Sequence, residues 1–507
     1  MITDLAQIKE LCSALLSKRD CIVKDPLGPM ANLEPFLAPM DMQSFGELPG
    51  PGEGLERLGE QEPAFKNLQQ STLLALRRLV YDGAATDVPA QWGEALLRFC
   101  EIKLRGLKTH CRRQWGRGMA ARLGLLHVCA FFLDCYHDSK DMRYLSAALK
   151  IADLKWLIAW RRLADCLKGE ADELTLGCFG LRISLQMAHA LNALASERPT
   201  CAVVDKPAKG QGDRGKLVCV DPDIAQVTRK RQWPKASPPR VCVFSPSRYS
   251  LYTLAVTELL LRGGVEVPFV FVRKLLNFKR LRFEIGWAGR RVFKKIWAKL
   301  VLRKHYYSPE PFETLSDLMD GLEIRHRTID ELCKTHSVGL RYCRTLNDPD
   351  VLDGLADCRP DIVVFTGGGL IRQPVLDNAG DGVVNCHMGV LPSYRGMDVV
   401  EWPIAEGRMS DMGFSVHFMA RGVDTGPIIR VQYVGSQPGL TIAQLRRKFE
   451  PLMVRAIVGA SLDYLEGTVT PQTQLIEDGK QYFMIHPLLR HVAEKRYSQY
   501  VRSLPED

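Results

Sequence analysis

The sequence predicts an α/β protein: a Rossmann-like, mostly parallel sheet with helices on both faces, preceded by an all-α helical domain. Three observations predict it. From residue 239 onward, short continuous apolar runs alternate with helical patterns, as strands buried on both sides require. Between residues 66 and 200, apolar residues recur at spacings of three and four, the signature of packed amphipathic helices. Residues 1–65 and 201–238 are rich in Pro, Gly and polar side chains and read as an arm and a linker.

The elements follow in order. In the helical domain, NLQQSTLLALRRLVYDG, QWGEALLRFCEIKLRGL and LGLLHVCAFFLDCYHD each carry the helical period. A further helix begins after Ser139 and Asp141 and sets Leu145, Leu149, Leu154 and Ile158 along one side. In the α/β domain (239–435), RVCVFS is a strand, and SLYTLAVTELLLR a helix closed by Gly263 and Gly264. The strands VPFVFVR, DIVVFTG, VVNCHM, GFSVHFM and PIIRVQYVG follow. Asp348 and Pro349 mark the start of the helix VLDGLADC. In the C-terminal extension (436–507), Thr441 and Gln444 form a capping box for a long helix to about Leu465. Asp478-Gly479, between QLIE and KQYFMI, reads as a β-hairpin turn.

Composition narrows the function classes. At 507 residues the chain needs two or three cores. Its 15 cysteines include no CxxC pair, which argues against a zinc ribbon or a disulfide framework and for reduced thiols in a cytoplasmic protein. No window is long and apolar enough for a transmembrane helix, and the N-terminus MITDLAQIKELC lacks a signal peptide's basic start. The net charge of +10 is local: residues 273–304 hold twelve Lys or Arg against Glu284. The remainder is near neutral, so nucleic acid is not an expected partner. Within that segment, residues 287–303 place Val292, Phe293, Ile296, Trp297, Leu300 and Val301 on one helical face and basic residues on the other. Such a helix packs on its domain, offers its charge to an anionic acceptor, or contacts a membrane surface or RNA.

The chemistry concentrates in VVNCHMGVLPSYRG. Asn385 and His387 stand two apart on a strand and therefore share a face near its C-terminal end, the edge where open α/β sheets bind ligands. An Asn amide donates to an oxyanion; a His donates to it or moves a proton near neutral pH. Cys386 points to the opposite face, into the core. Asp424, in GVDTGPII, is held in a tight turn before a strand, where it could orient an imidazole.

The order N-x-H-x-x-x-L-P-x-Y-R-G, then G-x-S-x-H, then D-x-G-x-I-I resembles the folate-dependent formyltransferases of glycinamide ribonucleotide, methionyl-tRNA and amino sugars. The resemblance implies the formyltransferase fold over about 239–435 and catalytic roles for Asn385, His387 and Asp424. It implies 10-formyltetrahydrofolate as co-substrate, an oxyanion stabilised by Asn385 and protonated His387, and Asp424 relaying protons. Leu370, Ile371 and Arg372 with Val423 and Asp424 match the loops that hold the donor's pterin, largely through backbone. The run Gly367-Gly368-Gly369 departs from the family pattern, and His417 matches a supporting position. Only about seventy residues follow Gly435, less than the barrel domain of the tRNA enzymes needs. The expected acceptor is therefore an amino sugar or another small or carrier-bound amine, anionic if the basic segment binds it. Hydrolysis of the donor and a non-catalytic folate-binding role are the alternatives, and oligomeric state is left open.

Overall fold

The computed structural model describes residues 236–274 and 310–504, Gly368 aside, with scattered positions between 97 and 234. The arm 1–65, most of the 66–200 and 201–238 segments and the basic stretch 275–309 lie outside the described residues. The chain divides into two compact units, one of residues 1–198 with 485–492 and one of residues 199–484 with 493–507. In the first, residues 142–151 are helical, as the spacing after Ser139 and Asp141 predicts. The Asp141 carboxylate caps that helix, accepting from the Arg143 backbone N–H at 3.0 Å.

The second unit is built on β1 (Val241–Ser245), α1 (Leu251–Arg262), β2 (Phe269–Arg273), α2 (Leu315–Gly321), α3 (Ile329–Thr335) and β3 (Gly339–Cys343). There follow α4 (Pro349–Cys358), β4 (Ile362–Phe365), α5 (Gln373–Leu376), β5 (Val383–His387), β6 (Tyr394–Gly396) and α6 (Glu401–Ala405). The chain continues with β7 (Gly413–Phe418), β8 (Ile428–Tyr433), α7 (Ile442–Glu466) and β9 (Lys480–Tyr482). Seven strands form one sheet in the order β3-β2-β1-β4-β5-β7-β8. The first five are parallel, and β7 and β8 complete the edge antiparallel.

Alternation along the strands assigns the two faces. Cys242, Phe244, Phe271, Val363 and Val383 join residues of α4 in one apolar cluster. The opposite side chains meet α1 and α7: Ser245 Oγ lies 3.0 Å from Thr253 Oγ1 of α1, and α7 packs on β5, β7 and β8. The sequence reading of α7 holds in detail. Thr441 accepts from the Gln444 N–H, and Gln444 Oε1 from the Thr441 N–H. No helix among the described residues is long and apolar enough to cross a membrane.

The hairpin expected at Asp478-Gly479 does not form. Residues 476–478 make a 3-10 turn, and β9 pairs in parallel with β6, register Tyr394 to Lys480. The reason is packing. Gly396 has a positive φ, and a Cβ there would collide with the Tyr482 carbonyl oxygen. The two backbones therefore approach closely enough to pair only through glycine.

Candidate active site

Three strands deliver the site to one place. On β5, Val383 belongs to the α4-side cluster, so by the twofold period Asn385 and His387 lie on the same face at the strand's C-terminal end. On β7, the antiparallel neighbour, His417 pairs with Asn385. The turn before β8 supplies Asp424, whose positive φ is a left-handed conformation that Asp tolerates better than most residues.

The contacts join these four side chains. His387 Nδ1 stands 3.4 Å from Asp424 Oδ2, and His417 Nε2 3.6 Å from Asp424 Oδ1. His417 Nδ1 donates to the Phe418 carbonyl at 2.7 Å. That leaves His417 Nε2 to accept from the Asn385 amide at 3.2 Å. The second bond fixes the Asn385 side chain and leaves its other N–H for a ligand oxygen. His387 Nε2 donates to the Tyr394 carbonyl at 2.8 Å. In the neutral ring, Nδ1 then carries the lone pair.

Electrostatics set the charge state. Burial raises the Asp424 carboxyl, but His387, His417 and the Gly396 N–H at 2.9 Å outweigh it, and its pKa falls to about 2. Burial drives His387 below the ordinary imidazole range; Asp424 pulls the other way, and His417 adds to the lowering. The 3.4 Å gap between the pair is also wider than a charge-assisted hydrogen bond, about 2.7–2.9 Å. At neutral pH the resting site therefore holds a carboxylate and a neutral imidazole, so the protonated His387 that the resemblance implies has to arise by proton uptake during the reaction. Desolvation of the ring keeps it neutral. Cys386 faces away, beside Tyr252 of α1, and burial raises its thiol far above the range of a nucleophile.

The donor-side residues divide. Val423 precedes Asp424 in the β7–β8 turn and is 40% exposed. Leu370, Ile371 and Arg372 lie on the loop after β4, the strand beside β5, at the same sheet edge. Leu370 is 81% exposed, whereas Ile371 packs against the α4-side core. Asn347, which sequence reasoning did not single out, clamps this loop: its Nδ2 donates to Leu370 O at 2.8 Å and its Oδ1 accepts from Arg372 N at 2.7 Å. The glycine run before it turns through positive φ at Gly367 and Gly369, a path closed to bulkier residues.

Sequence reasoning also missed the support that comes from beyond α7. Gln474, 8% exposed, donates from Nε2 to Asp424 O at 2.9 Å and to Gly426 O at 2.6 Å. Arg395 of β6 ties that strand to the same segment through Ile476 O and Gly479 O, both at 2.8 Å. No local pattern marks Gln474, fifty residues from the aspartate whose turn it holds.

Fold and site together define a class: a doubly wound α/β domain with an Asn–His–Asp cluster at the C-terminal edge of its sheet. Residues 325–460 match the formyl transferase family model, a span that contains all four clustered side chains. Similar curated proteins include the methionyl-tRNA formyltransferase of Trichlorobacter lovleyi, 28% identical over 156 residues, covering 30% of this chain and 49% of the relative. That of Thiobacillus denitrificans is 31% identical over 155 residues, with 30% and 49% covered. The chain thus spans about half the length of the curated relatives it matches. Among solved structures, phosphoribosylglycinamide formyltransferase from Bacillus halodurans is 19% identical, covering 45% of this chain and 95% of its own, at a TM-score of 0.30.

Proposed function

We propose that this protein is an N-formyltransferase that moves a formyl group from 10-formyltetrahydrofolate to an amine, with Asn385, His387 and Asp424 as its catalytic residues. The observation that carries the reading is the convergence of these three side chains, arranged by His417, at the ligand-binding edge of the sheet. Neutral His387 suits the task of accepting a proton from the attacking amine through its Nδ1 lone pair. The imidazolium so formed gains from the Asp424 carboxylate 3.4 Å away. Asn385 is placed to donate its second amide N–H to the oxygen that becomes negative. When bound, the folate supplies the formyl carbon in activated form. Exposed Leu370 and Val423, on the two loops at this edge, suit the flat face of a heteroaromatic ring such as a pterin.

The acceptor we propose is a small or carrier-bound amine, such as an amino sugar or another biosynthetic intermediate. The expectation that nucleic acid is not a partner draws no support from the relatives, which are methionyl-tRNA formyltransferases. Charged initiator tRNA therefore belongs in the test. Purified protein, incubated with 10-formyltetrahydrofolate and a panel of amino sugars, nucleotide-linked amino sugars and methionyl-tRNA, should formylate one of them, detected by mass spectrometry. Donor consumption at the same rate without any amine would establish hydrolysis instead. Neither product nor donor consumption would overturn catalysis.

A further inference from the structure

The second unit holds a cluster of ligating side chains that plays no part in the site above. Glu258 lies in the last turns of α1, the end away from the Ser245–Ser250 loop. His326 precedes Thr328, the N-cap of α3, and His336 caps that helix's C-terminus. One ligand atom from each of the three lies within 4.8 Å of the others. The imidazole centroids are 5.9 Å apart, with the planes at 75°.

Glu258 is the informative member. Its side chain is 8% exposed, and one oxygen, Oε1, accepts from Arg262 Nε at 2.8 Å. The other, Oε2, is buried and faces only His336 Nε2, at 3.0 Å, among the described residues. With the Nε2 lone pair turned toward that oxygen, two acceptors face each other, and a shared cation satisfies both. In a tetrahedral zinc site, with bonds of about 2.0–2.2 Å, donor atoms sit about 3.3 Å from one another. The Glu258–His336 separation is already near that value, and His326 reaches it by a side-chain rotation within the 4.8 Å limit. Arg262 then does what outer-shell partners do: it holds the carboxylate through the oxygen not used for ligation.

The geometry points to a divalent-cation site formed by Glu258, His326 and His336, with a fourth position open to water. Two imidazoles and one carboxylate suit a borderline ion of the zinc class rather than magnesium or calcium, which take oxygen ligands. The ion would staple α1 to both ends of α3, on the side of the sheet that carries α1 and α7. This inference does not depend on formyl transfer.

Cobalt(II), which reports its ligands optically, is the probe. Full-length reduced protein, stripped with chelator, is titrated with Co(II) beside the His326→Ala/His336→Ala variant. Wild type should take up one more ion per chain, with d–d bands and no thiolate charge-transfer band for that ion. Equal uptake by the two proteins would overturn the site. So would thiolate character in the ion that the variant loses, since cysteines would then be its ligands. Should the double variant fail to fold, His336→Ala alone serves, because its side chain is 31% exposed. Losing a ligand should weaken binding by more than the roughly ten- to hundredfold typical of an outer-shell loss. An unchanged affinity would refute the proposal.

Discussion

Asp424→Asn probes the charge at the centre of the site while keeping its size and turn. In the resting protein the carboxylate faces a neutral ring; its contribution appears when His387 takes a proton. At 3.4 Å and an effective dielectric of about 20, attraction to the imidazolium amounts to about 5 kcal/mol. The Asn amide dipole and entering water recover part of it, leaving a loss of roughly 3–4 kcal/mol, or several hundredfold in kcat/KM. The assay is formyl transfer to whichever amine the panel identifies, followed by mass spectrometry across pH 5–9. Because Asp424 acts to raise the His387 pKa, its removal should also move the acid limb of the profile to lower pH. Binding of 5-formyltetrahydrofolate, followed by calorimetry, should survive. A variant with wild-type kcat/KM, or an acid limb displaced upward, would refute the assignment of Asp424 as the partner of His387.

Three further outcomes follow from the geometry. Cys386→Ala should cost on the order of 1 kcal/mol of stability in denaturant titration. Its turnover should stay near wild type, since the thiol faces α1; lost turnover in a folded variant would contradict the strand register. Gln474→Ala removes two hydrogen bonds from the Asp424 turn and should lower kcat about ten- to hundredfold with the donor KM little changed; an intact kcat would deny Gln474 any positioning role. Stability should fall on acidification, and both shifts act in that direction. His387, held below the ordinary value of about 6.5, favours the neutral fold and loses stability as pH drops beneath it. Asp424, its pKa depressed to about 2, contributes stability that is complete above pH 4 and is lost toward pH 2. The stability advantage of wild type over Asp424→Asn should therefore narrow between pH 4 and 2; a constant gap would contradict the depressed carboxyl.

Legibility in the sequence tracked burial. The strands β1, β2 and β4 are nearly continuous apolar runs because both faces of the sheet are covered, and β5, β7 and β8 keep enough apolar residues between their polar ones to read as strands. The edge strand β3 does not: Gly339, Leu340, Arg341 and Tyr342 are all half-buried, so GLRYC has no apolar run to announce it. The three-residue strands β6 and β9 have no period at all, and their pairing arises from the close approach of Gly396 to Tyr482, far apart in the chain. In the site, Asn385 and His387 were legible because a strand's twofold period is local. The clamp by Gln474, the loop support from Asn347 and the neutral state of His387 are tertiary effects of burial and long-range hydrogen bonds, and no spacing encodes them.

The most direct measurement is single-turnover transfer of a labelled formyl group in wild type and in Asn385→Ala and His387→Ala. The account predicts that labelled formyl appears on an amine in wild type and that each variant slows this step about a hundred- to a thousandfold while still binding the donor. Transfer at the wild-type rate in both variants would contradict it, because the chemistry would then lie elsewhere in the chain.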